Sequence, residues 1–484
     1  MTRLLVRLTF VATILLVAVE PAAPAIAAGQ TMEQALGAPL APSKAGKETR
    51  SGAVVIDLDT GKTVYSHNAD TALTPASNMK LFTTAAALCE LGENFELRTE
   101  IRTHGTIRGG ELDGDLVLVG FGDPNISGRF HNGDATFVLR EMAKELRKKG
   151  ISKVRGKLLF DDSYFSGASF HPDWPADQYL KWYTAEVSAL CLNDNCLTIT
   201  VTPGKSGEAA RIACVPETRY ATFEGSVQTI SGRADPLVGW TRPRDSNTLS
   251  LWGKVANQRA AYQGECTVHD PAAFFAKVLA EVLGKEGIAI NGGVERKDFS
   301  ADELNGFELA ARHVSDLPAT LFVTNTDSQN LYAECLFRIL GARKAGEGSF
   351  TGGAKAVQAF LKNASLPVDG LVIRDGSGLA DTNRVTTRTL ASLLQYMSKR
   401  KDFAVFKNSL AVAGSTGTLE RRLTGDLTNG RVFAKTGYIN KVGALSGYID
   451  TKAGKRYAFA VVVNDVRGSV RTILDGFVNT LSKW

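Results

Sequence analysis

Apolar residues alternate with polar turns near the start of the chain and again near its end. Residues 53–57 and 62–65 are rich in β-branched side chains and flank the turn 58–61, a pattern that predicts two strands joined by a tight turn. Near the end, residues 442–450 and 456–463 predict a second antiparallel hairpin. The two ends of the chain therefore predict one kind of structure, a sheet.

The last predicted element is an amphipathic helix. Its apolar side chains recur every three or four positions, at Val470, Ile473, Leu474, Phe477 and Leu481. This spacing places them on one helical face. We expect that face to pack on the sheet.

The middle of the chain has a different pattern. Residues 97–306 combine many β-branched side chains with Gly, Asp and Asn turns, as where the apolar run 116–119 meets 120–124. This predicts a β-rich insertion with a few helices. The isolated pair Gly120 and Gly122 favours turn chemistry over a cofactor loop.

The N-terminus has the pattern of a secretory signal peptide over residues 1–27. Arg3 and Arg7 precede an apolar run at 8–19, and small residues follow at 25–27. The run is shorter than the roughly 20 residues that span a bilayer as a helix. We expect an exported product, soluble after cleavage, and an uncleaved anchor is the alternative.

Composition excludes several classes of protein. The 484 residues are 44% hydrophobic and carry a net charge of +6, which excludes a disordered chain. The charges alternate in sign, and the cations at 147–149 end a predicted helix, so nucleic acid is not an expected partner.

Six cysteines lie after the signal peptide, where export permits disulfides. Cys191 and Cys196 flank a turn-rich segment and could form a local bridge, and Cys214 and Cys266 could close a long loop. Cys89 and Cys335 lie in apolar helical patterns and fit small buried residues. No spacing typical of a zinc site occurs, and we expect no metal or other cofactor.

The first of three short motifs begins with Ser77 and ends with Lys80, at the start of a predicted helix. Residues three apart share a helical face, so Lys80 can reach the Ser77 hydroxyl. A lysine takes a hydroxyl proton only where burial or a nearby cation lowers its pKa. Taken alone, the motif favours a helix cap and a surface lysine.

The other two motifs are weaker on their own. Ser328 and Asn330 stand at a predicted helix start, where such residues are common. Lys435, Thr436 and Gly437 lie on a predicted strand, where they could form a cationic clamp for an anion or merely an exposed edge. The order SxxK, SxN, KTG is what raises the significance of all three.

With these motifs in this order, the chain resembles the class C low-molecular-mass penicillin-binding proteins, which are D-alanyl-D-alanine carboxypeptidases and endopeptidases. Residues 55–61, 114–124, 375–379 and 383–386 add to the resemblance. It implies an α/β (α+β) serine β-lactamase/transpeptidase-like fold, with an antiparallel sheet flanked by helices. Residues 28–98 and 307–484 would form this peptidase domain, and a β-rich insertion of two subdomains would occupy 99–306.

The resemblance also implies the catalytic roles. Ser77 would be the nucleophile and Lys80 its base, with Ser328 and Asn330 on the second wall of the cleft. Lys435 would be the cation that depresses the pKa of Lys80.

The remaining implied residues bind substrate. Lys435 and Thr436 would hold a terminal carboxylate beside Gly437, and the N–H groups of Ser77 and Tyr438 would stabilise the oxyanion. Peptidoglycan stem peptides are the implied substrates and β-lactams the implied inhibitors. The oligomeric state is left open.

Three positions depart from the family pattern. Gln329 stands where aspartate is usual, and Tyr438 where a small hydroxyl residue is common, and neither change is expected to abolish activity. Asp381 stands at the position where members that bind diaminopimelate tend to carry arginine. An acid there would disfavour a free side-chain carboxylate, although Asp381 equally fits a turn residue.

Two other functions share these features. An esterase or a β-lactamase could use the same motifs, although no separate deacylating acid can be identified. A catalytically idle cell-wall binding or scaffolding protein is the alternative from another class. The intact motif set argues against it, because a scaffold needs no base beside Ser77.

Overall fold

The computed structural model describes residues 30–41 and 48–484, and the predicted signal peptide lies outside them. The α-helices of the described residues are α1 (Met32–Gly37), α2 (Met79–Leu91), α3 (Phe137–Lys148), α4 (Pro271–Lys285), α5 (Ala301–Asn305), α6 (Leu317–Thr326), α7 (Asn330–Leu340), α8 (Phe350–Asn363), α9 (Thr387–Ser398), α10 (Phe403–Asn408) and α11 (Val470–Leu481). In this part of the chain, no helix has the length and apolar character needed to cross a membrane.

The strands are likewise numbered in chain order. They are β1 (Arg50–Asp57), β2 (Thr63–His67), β3 (Glu96–Arg108), β4 (Glu111–Gly120), β5 (Lys153–Val154), β6 (Leu158–Asp161), β7 (Cys196–Thr202), β8 (Arg211–Val215), β9 (Thr222–Ile230), β10 (Leu237–Thr241), β11 (Thr248–Ala256), β12 (Tyr262–Thr267), β13 (Ala289–Ile290), β14 (Val294–Arg296), β15 (Glu308–Asp316), β16 (Ala411–Val412), β17 (Val432–Ile439), β18 (Val442–Asp450) and β19 (Arg456–Asn464).

One compact unit, here the sheet unit, comprises the described residues up to Leu97 together with Phe165–Pro175 and Ser315–Trp484. Its six strands have the order β16-β17-β18-β19-β1-β2, and all neighbours are antiparallel. After their first residue, β1 and β19 are buried throughout, which means that both faces of the sheet are covered. The predicted antiparallel sheet flanked by helices is confirmed.

Helix α11 covers one face of this sheet, as its spacing predicted. All five residues of the predicted apolar stripe are buried. They form one core with alternate strand residues such as Val55, Leu445 and Val461. The two predicted hairpins correspond to β1–β2 and β18–β19.

The second unit, here the strand-rich unit, comprises Arg98–Tyr164 and Ala176–Val314. A seven-stranded mixed sheet has the order β13-β5-β4-β3-β15, with β6 beside β4 and β14 beside β6. Two three-stranded sheets have the orders β10-β11-β9 and β12-β7-β8. The β-rich character predicted for the middle of the chain is confirmed, whereas the exact domain boundaries and the number of inserted subdomains stay predictions.

A buried carboxylate braces this strand-rich unit. Glu100 has no exposed side-chain surface and pairs with Arg102 at 2.7 Å and with Arg312 at 2.8 Å. Arg98 lies 3.4 Å from the same carboxylate. A buried carboxylate needs such partners, because an unpaired charge in the interior is very costly.

The local bridge proposed for Cys191 and Cys196 is wrong, because all six cysteines are thiols. The Cys191 Sγ donates to the carbonyl of Ser188 at 3.1 Å. Cys196 begins β7, where its cross-strand partner is Thr267. The two cysteines therefore do not face each other across a hairpin.

The bridge between Cys214 and Cys266 is also wrong, for a reason of sheet order. Cys214 lies on β8 and Cys266 on β12, on opposite sides of the central strand β7. Two strand spacings amount to about 9–10 Å. A disulfide requires Cα atoms less than about 7 Å apart.

Candidate active site

Ser77 lies in a single 3-10 turn, Ala76–Asn78, directly before α2. The sequence predicted Ser77 at a helix start, and the α-helix itself begins two residues later. Ala76 has φ of +45°, a left-handed conformation that costs energy in a non-glycine residue. The turn places Ser77 at the N-terminal end of α2, next to Lys80 in the first turn of that helix.

Lys80 is fully buried, and its ammonium group has three oxygen partners. The Nζ atom donates to Ser77 Oγ at 3.0 Å, to Asn330 Oδ1 at 2.6 Å and to the carbonyl of Ser377 at 2.9 Å. Burial lowers its pKa to about 7, against the opposing effect of nearby carboxylates. The lysine can thus be neutral near neutral pH and accept the Ser77 proton.

Burial, one of the two causes that the sequence allowed, is the main cause of this pKa shift. Desolvation lowers the pKa of Lys80, and the neighbouring carboxylates of Glu334 and Asp375 raise it. Burial also lowers the pKa of Lys435 well below its usual value, and the charge of Lys80 lowers it further. Because repulsion between two cations is mutual, the effect expected from Lys435 on Lys80 stays a prediction.

Glu334 is a site residue that the sequence motifs did not identify. It is fully buried on α7, one turn after Asn330, and burial raises its pKa to about 8. Its carboxylate accepts the N–H groups of Gly376 at 3.0 Å and Ser377 at 2.7 Å. Because Ser377 accepts a bond from Lys80, Glu334 positions the loop that holds the lysine. The four-residue spacing from Asn330 was the available signal.

Asp375 organises the loop that follows. Its carboxylate accepts four hydrogen bonds, from the Trp174 ring, from the N–H groups of Gly378 and Ala380, and from the Asn383 amide, at 2.7–2.8 Å. A Cβ atom on Gly378 would lie 1.9 Å from the carbonyl oxygen of Ala76. The loop therefore packs directly on the turn that carries Ser77.

The second wall of the cleft comes from the loop between α6 and α7. Ser328 has φ of +62°, and its Oγ accepts a bond from Lys435 Nζ at 2.8 Å. Asn330 is the first residue of α7. Between them, Gln329 caps α7, accepting the N–H of Leu331 through its side chain. Glutamine at position 329, where the family usually has aspartate, thus caps the helix. Both motif side chains, Ser328 and Asn330, remain in the site.

Strand β17 forms the third side. Lys435 is fully buried, and its Nζ also donates to the carbonyl of Thr436 at 2.9 Å. The Thr436 hydroxyl donates to Thr418 Oγ1 at 2.9 Å. Tyr438 has 72% of its surface exposed, at the open end of the strand.

Two contacts fasten β17 to the nucleophile turn. The side chain of Asn78 donates to the carbonyl of Lys435 at 3.0 Å. A Cβ atom on Gly437 would lie 2.8 Å from the carbonyl oxygen of Pro75 and 3.1 Å from the nitrogen of Ser77. The glycine is therefore needed for contact within the protein, a reason that the sequence motif did not provide.

Asp381 is a predicted site residue whose side chain has no bond to this cluster of catalytic residues. Its main-chain carbonyl accepts bonds from Thr74 at 3.2 Å and Arg384 at 2.6 Å. Its carboxylate is exposed and makes no hydrogen bond or ion pair with the described residues. The adjacent turn is braced by Asn383 instead, whose amide donates to the carbonyl of Ala380.

Comparisons with known proteins agree over nearly the whole chain. Residues 33–482 match the D-Ala-D-Ala carboxypeptidase 3 (S13) family. A D-alanyl-D-alanine carboxypeptidase of Actinomadura sp. (strain R39) is 34% identical over 431 residues, covering 86% of this chain and 78% of that protein. D-alanyl-D-alanine carboxypeptidase DacB of Haemophilus influenzae is 27% identical over 419 residues, covering 85% of each.

Solved structures give the same picture. The crystal structure of penicillin binding protein 4 (dacB) from Haemophilus influenzae matches with a TM-score of 0.79 and 26% identity, over 93% of this chain and 98% of that chain. A structure of that protein complexed with a β-lactam matches with a TM-score of 0.74 and 25% identity, with the same coverage.

Proposed function

Because this chain belongs to the D-Ala-D-Ala carboxypeptidase 3 (S13) family and is a serine-type D-Ala-D-Ala carboxypeptidase, we propose that Ser77 is its nucleophile and Lys80 its general base. The observation that carries the assignment is the 3.0 Å hydrogen bond between Lys80 Nζ and Ser77 Oγ. It lies where burial brings the lysine pKa to about 7. A hydroxyl beside a base of that strength can be deprotonated near neutral pH.

In the first step, neutral Lys80 accepts the proton of Ser77 as Oγ attacks the carbonyl carbon of the penultimate D-alanine. The C–N bond breaks, and the proton passes to the departing amine. Water then attacks the ester on Ser77, releasing the acid and restoring the hydroxyl. The N–H groups of Ser77 and Tyr438 stabilise the oxyanion in both steps.

The substrate's terminal carboxylate binds the group formed by Ser328, Lys435 and Thr436. The Lys435 Nζ lies 2.8 Å from Ser328 Oγ, and the Thr436 hydroxyl, which donates to Thr418 Oγ1, would turn to the bound anion. A charged donor roughly doubles the strength of such a bond. This clamp orients the scissile amide over Ser77.

Peptidoglycan stem peptides are the substrates, and the enzyme cleaves D-alanyl cross-links as well as D-Ala-D-Ala ends. β-Lactams acylate Ser77, because they present a strained amide and a carboxylate at the same separation. The structural relative bound to a β-lactam supports this part of the proposal. The N-terminal pattern at 1–27 supports an exported enzyme.

Labelling with a fluorescent penicillin tests the nucleophile. Ser77→Ala should abolish labelling and leave the melting temperature close to that of the parent. Ser66→Ala, which alters an exposed serine on β2, is the matched control and should label fully. Labelling of Ser77→Ala at the parental level would refute the assignment.

A further inference from the structure

A cavity, here the β17 cavity, opens beside the strand that carries Lys435. Its volume is about 500 Å³. Thr436, Gly437 and Tyr438 form one wall, and the segment before α11 forms another, with Gly468 and Ser469. The cavity thus includes the threonine assigned to carboxylate binding, and Ser77 is not among the described residues that line it.

The β17 cavity is positively charged. Arg422, Lys441 and Arg471 line it, and no carboxylate does among the described lining residues. Asp475 lies behind the arginines and pairs with both, which leaves the wall with an excess of cations. Such a wall attracts ligands that carry carboxylates.

We propose that the β17 cavity binds the leaving strand of cross-linked peptidoglycan, the peptide on the amine side of the cleaved bond. This inference rests on the proposed function, since it takes the substrate carboxylate to lie at Thr436. In a free D-Ala-D-Ala end, only a methyl group extends from the residue that bears this carboxylate. In a cross-link, a whole peptide with further carboxylates extends from that residue, and the cavity lies next to it.

The chemistry is the same for the two substrates. An ester forms between Ser77 Oγ and the D-alanyl carbonyl, the amide C–N bond breaks, and the amine takes the proton that Ser77 released. Only the size and charge of the departing amine differ. The β17 cavity therefore determines how well cross-links are cleaved relative to free ends.

The charge test compares two double variants that remove two exposed cations each. Lys441→Gln with Arg471→Gln alters the cavity, and Lys452→Gln with Lys455→Gln alters the far hairpin turn as a control. The substrates are a purified cross-linked muropeptide dimer and an uncross-linked pentapeptide muropeptide. An exposed charge contributes up to roughly fivefold to binding. Because the cavity variant lacks two charges, we expect its kcat/KM for the dimer to fall about five- to twentyfold. The pentapeptide rate and the control variant should stay within about twofold.

A steric variant tests the same site without changing charge. A Cβ atom on Gly468 meets no atom within 4 Å, so Gly468→Leu should fold normally and fill part of the cavity. It should also reduce dimer cleavage selectively. Equal losses on both substrates, or no loss on either, would overturn the inference.

Assays of the parent enzyme distinguish failure of this inference from failure of the proposed function. If it is labelled by penicillin and hydrolyses the pentapeptide but leaves the dimer intact, the inference fails and the proposed function stands. If it is neither labelled nor active on either substrate, both fail.

Discussion

At Lys80, burial and hydrogen bonding act in opposite directions. Removing the ammonium from water favours the neutral amine, while three acceptor oxygens and the carboxylates of Glu334 and Asp375 favour the cation. The balance leaves the pKa at about 7, where both forms are present at neutral pH. A group that accepts and returns a proton in each cycle works best in this range.

This balance predicts the pH dependence of acylation. Lys80 is a base only when deprotonated, so the acylation rate should rise about tenfold per pH unit below its pKa and level off above pH 7. Stopped-flow labelling with a fluorescent penicillin, on either side of neutrality, measures it. A profile independent of pH would contradict the role of Lys80.

Asp381 supports a prediction about substrate preference. If its exposed carboxylate faces the stem peptide, it disfavours a free diaminopimelate carboxylate and tolerates an amidated or lysine-type peptide. The effect should be at most about fivefold, because an exposed charge pair contributes roughly 0–1 kcal/mol. Hydrolysis of free-acid and amidated peptides by the parent and by Asp381→Arg gives the ratio. An unchanged ratio would leave Asp381 as a turn residue.

At the scale of the elements, β17 approaches the turn before α2 so closely that a Cβ atom on Gly437 does not fit without a shift. Gly437→Ala would place a methyl group 2.8 Å from the Pro75 carbonyl oxygen, so the turn or the strand must move. We expect acylation to fall at least tenfold and stability by about 1–3 kcal/mol, as in other overpacked sites. Penicillin labelling rates and thermal melting measure both effects.

The control for this change is a glycine on α11. A Cβ atom on Gly476 would make an ordinary contact with Pro39, at 3.8 Å. Gly476→Ala should keep full activity and gain up to about 1 kcal/mol, because alanine is the better helix former. If both variants behave alike, the Gly437 contact does not hold the site together.

Local patterns were enough to predict the elements that carry the motifs. The hairpins, α11 and the motif residues Ser77, Lys80 and Lys435 follow from spacing and from the family's motif order. The motif order also identified Asn330, which lies 250 residues from Lys80, but it did not identify Ser377, which lies 297 residues away. Tertiary packing alone brings them together.

The failed cysteine bridge has a similar cause. The turn before Cys196 contains three successive residues with positive φ, at Asn193, Asp194 and Asn195. Asparagine and aspartate tolerate this conformation, but many turns use them in other ways. The sequence therefore predicts a turn there without fixing the direction in which the chain leaves it.

At the scale of the whole molecule, the chain leaves the sheet unit after Leu97 and enters it finally at Ser315. We propose that most of the intervening chain, about residues 99–306, is an insertion into the peptidase domain. Its own core includes α3, α4 and the strands of the mixed sheet. A segment with its own core can unfold as a unit.

This organisation predicts two thermal transitions in calorimetry. Penicillin acylates only the sheet unit and should raise only that unit's melting temperature. Glu100→Ala removes the buried partner of three arginines and should destabilise the strand-rich unit by about 1–3 kcal/mol. For a unit of this size, each kcal/mol corresponds to about 2–4 °C. A single transition that both changes shift equally would contradict independent unfolding.

None of the six cysteines forms a disulfide in the structure. Burial raises the pKa of Cys89 to about 12 and that of Cys266 to about 11, and raises the pKa of Cys196 and Cys214 as well. Thiols held protonated react slowly with oxidants and disulfides, since the thiolate is the reactive form. We therefore expect these four thiols to react slowly with disulfide reagents in the folded chain.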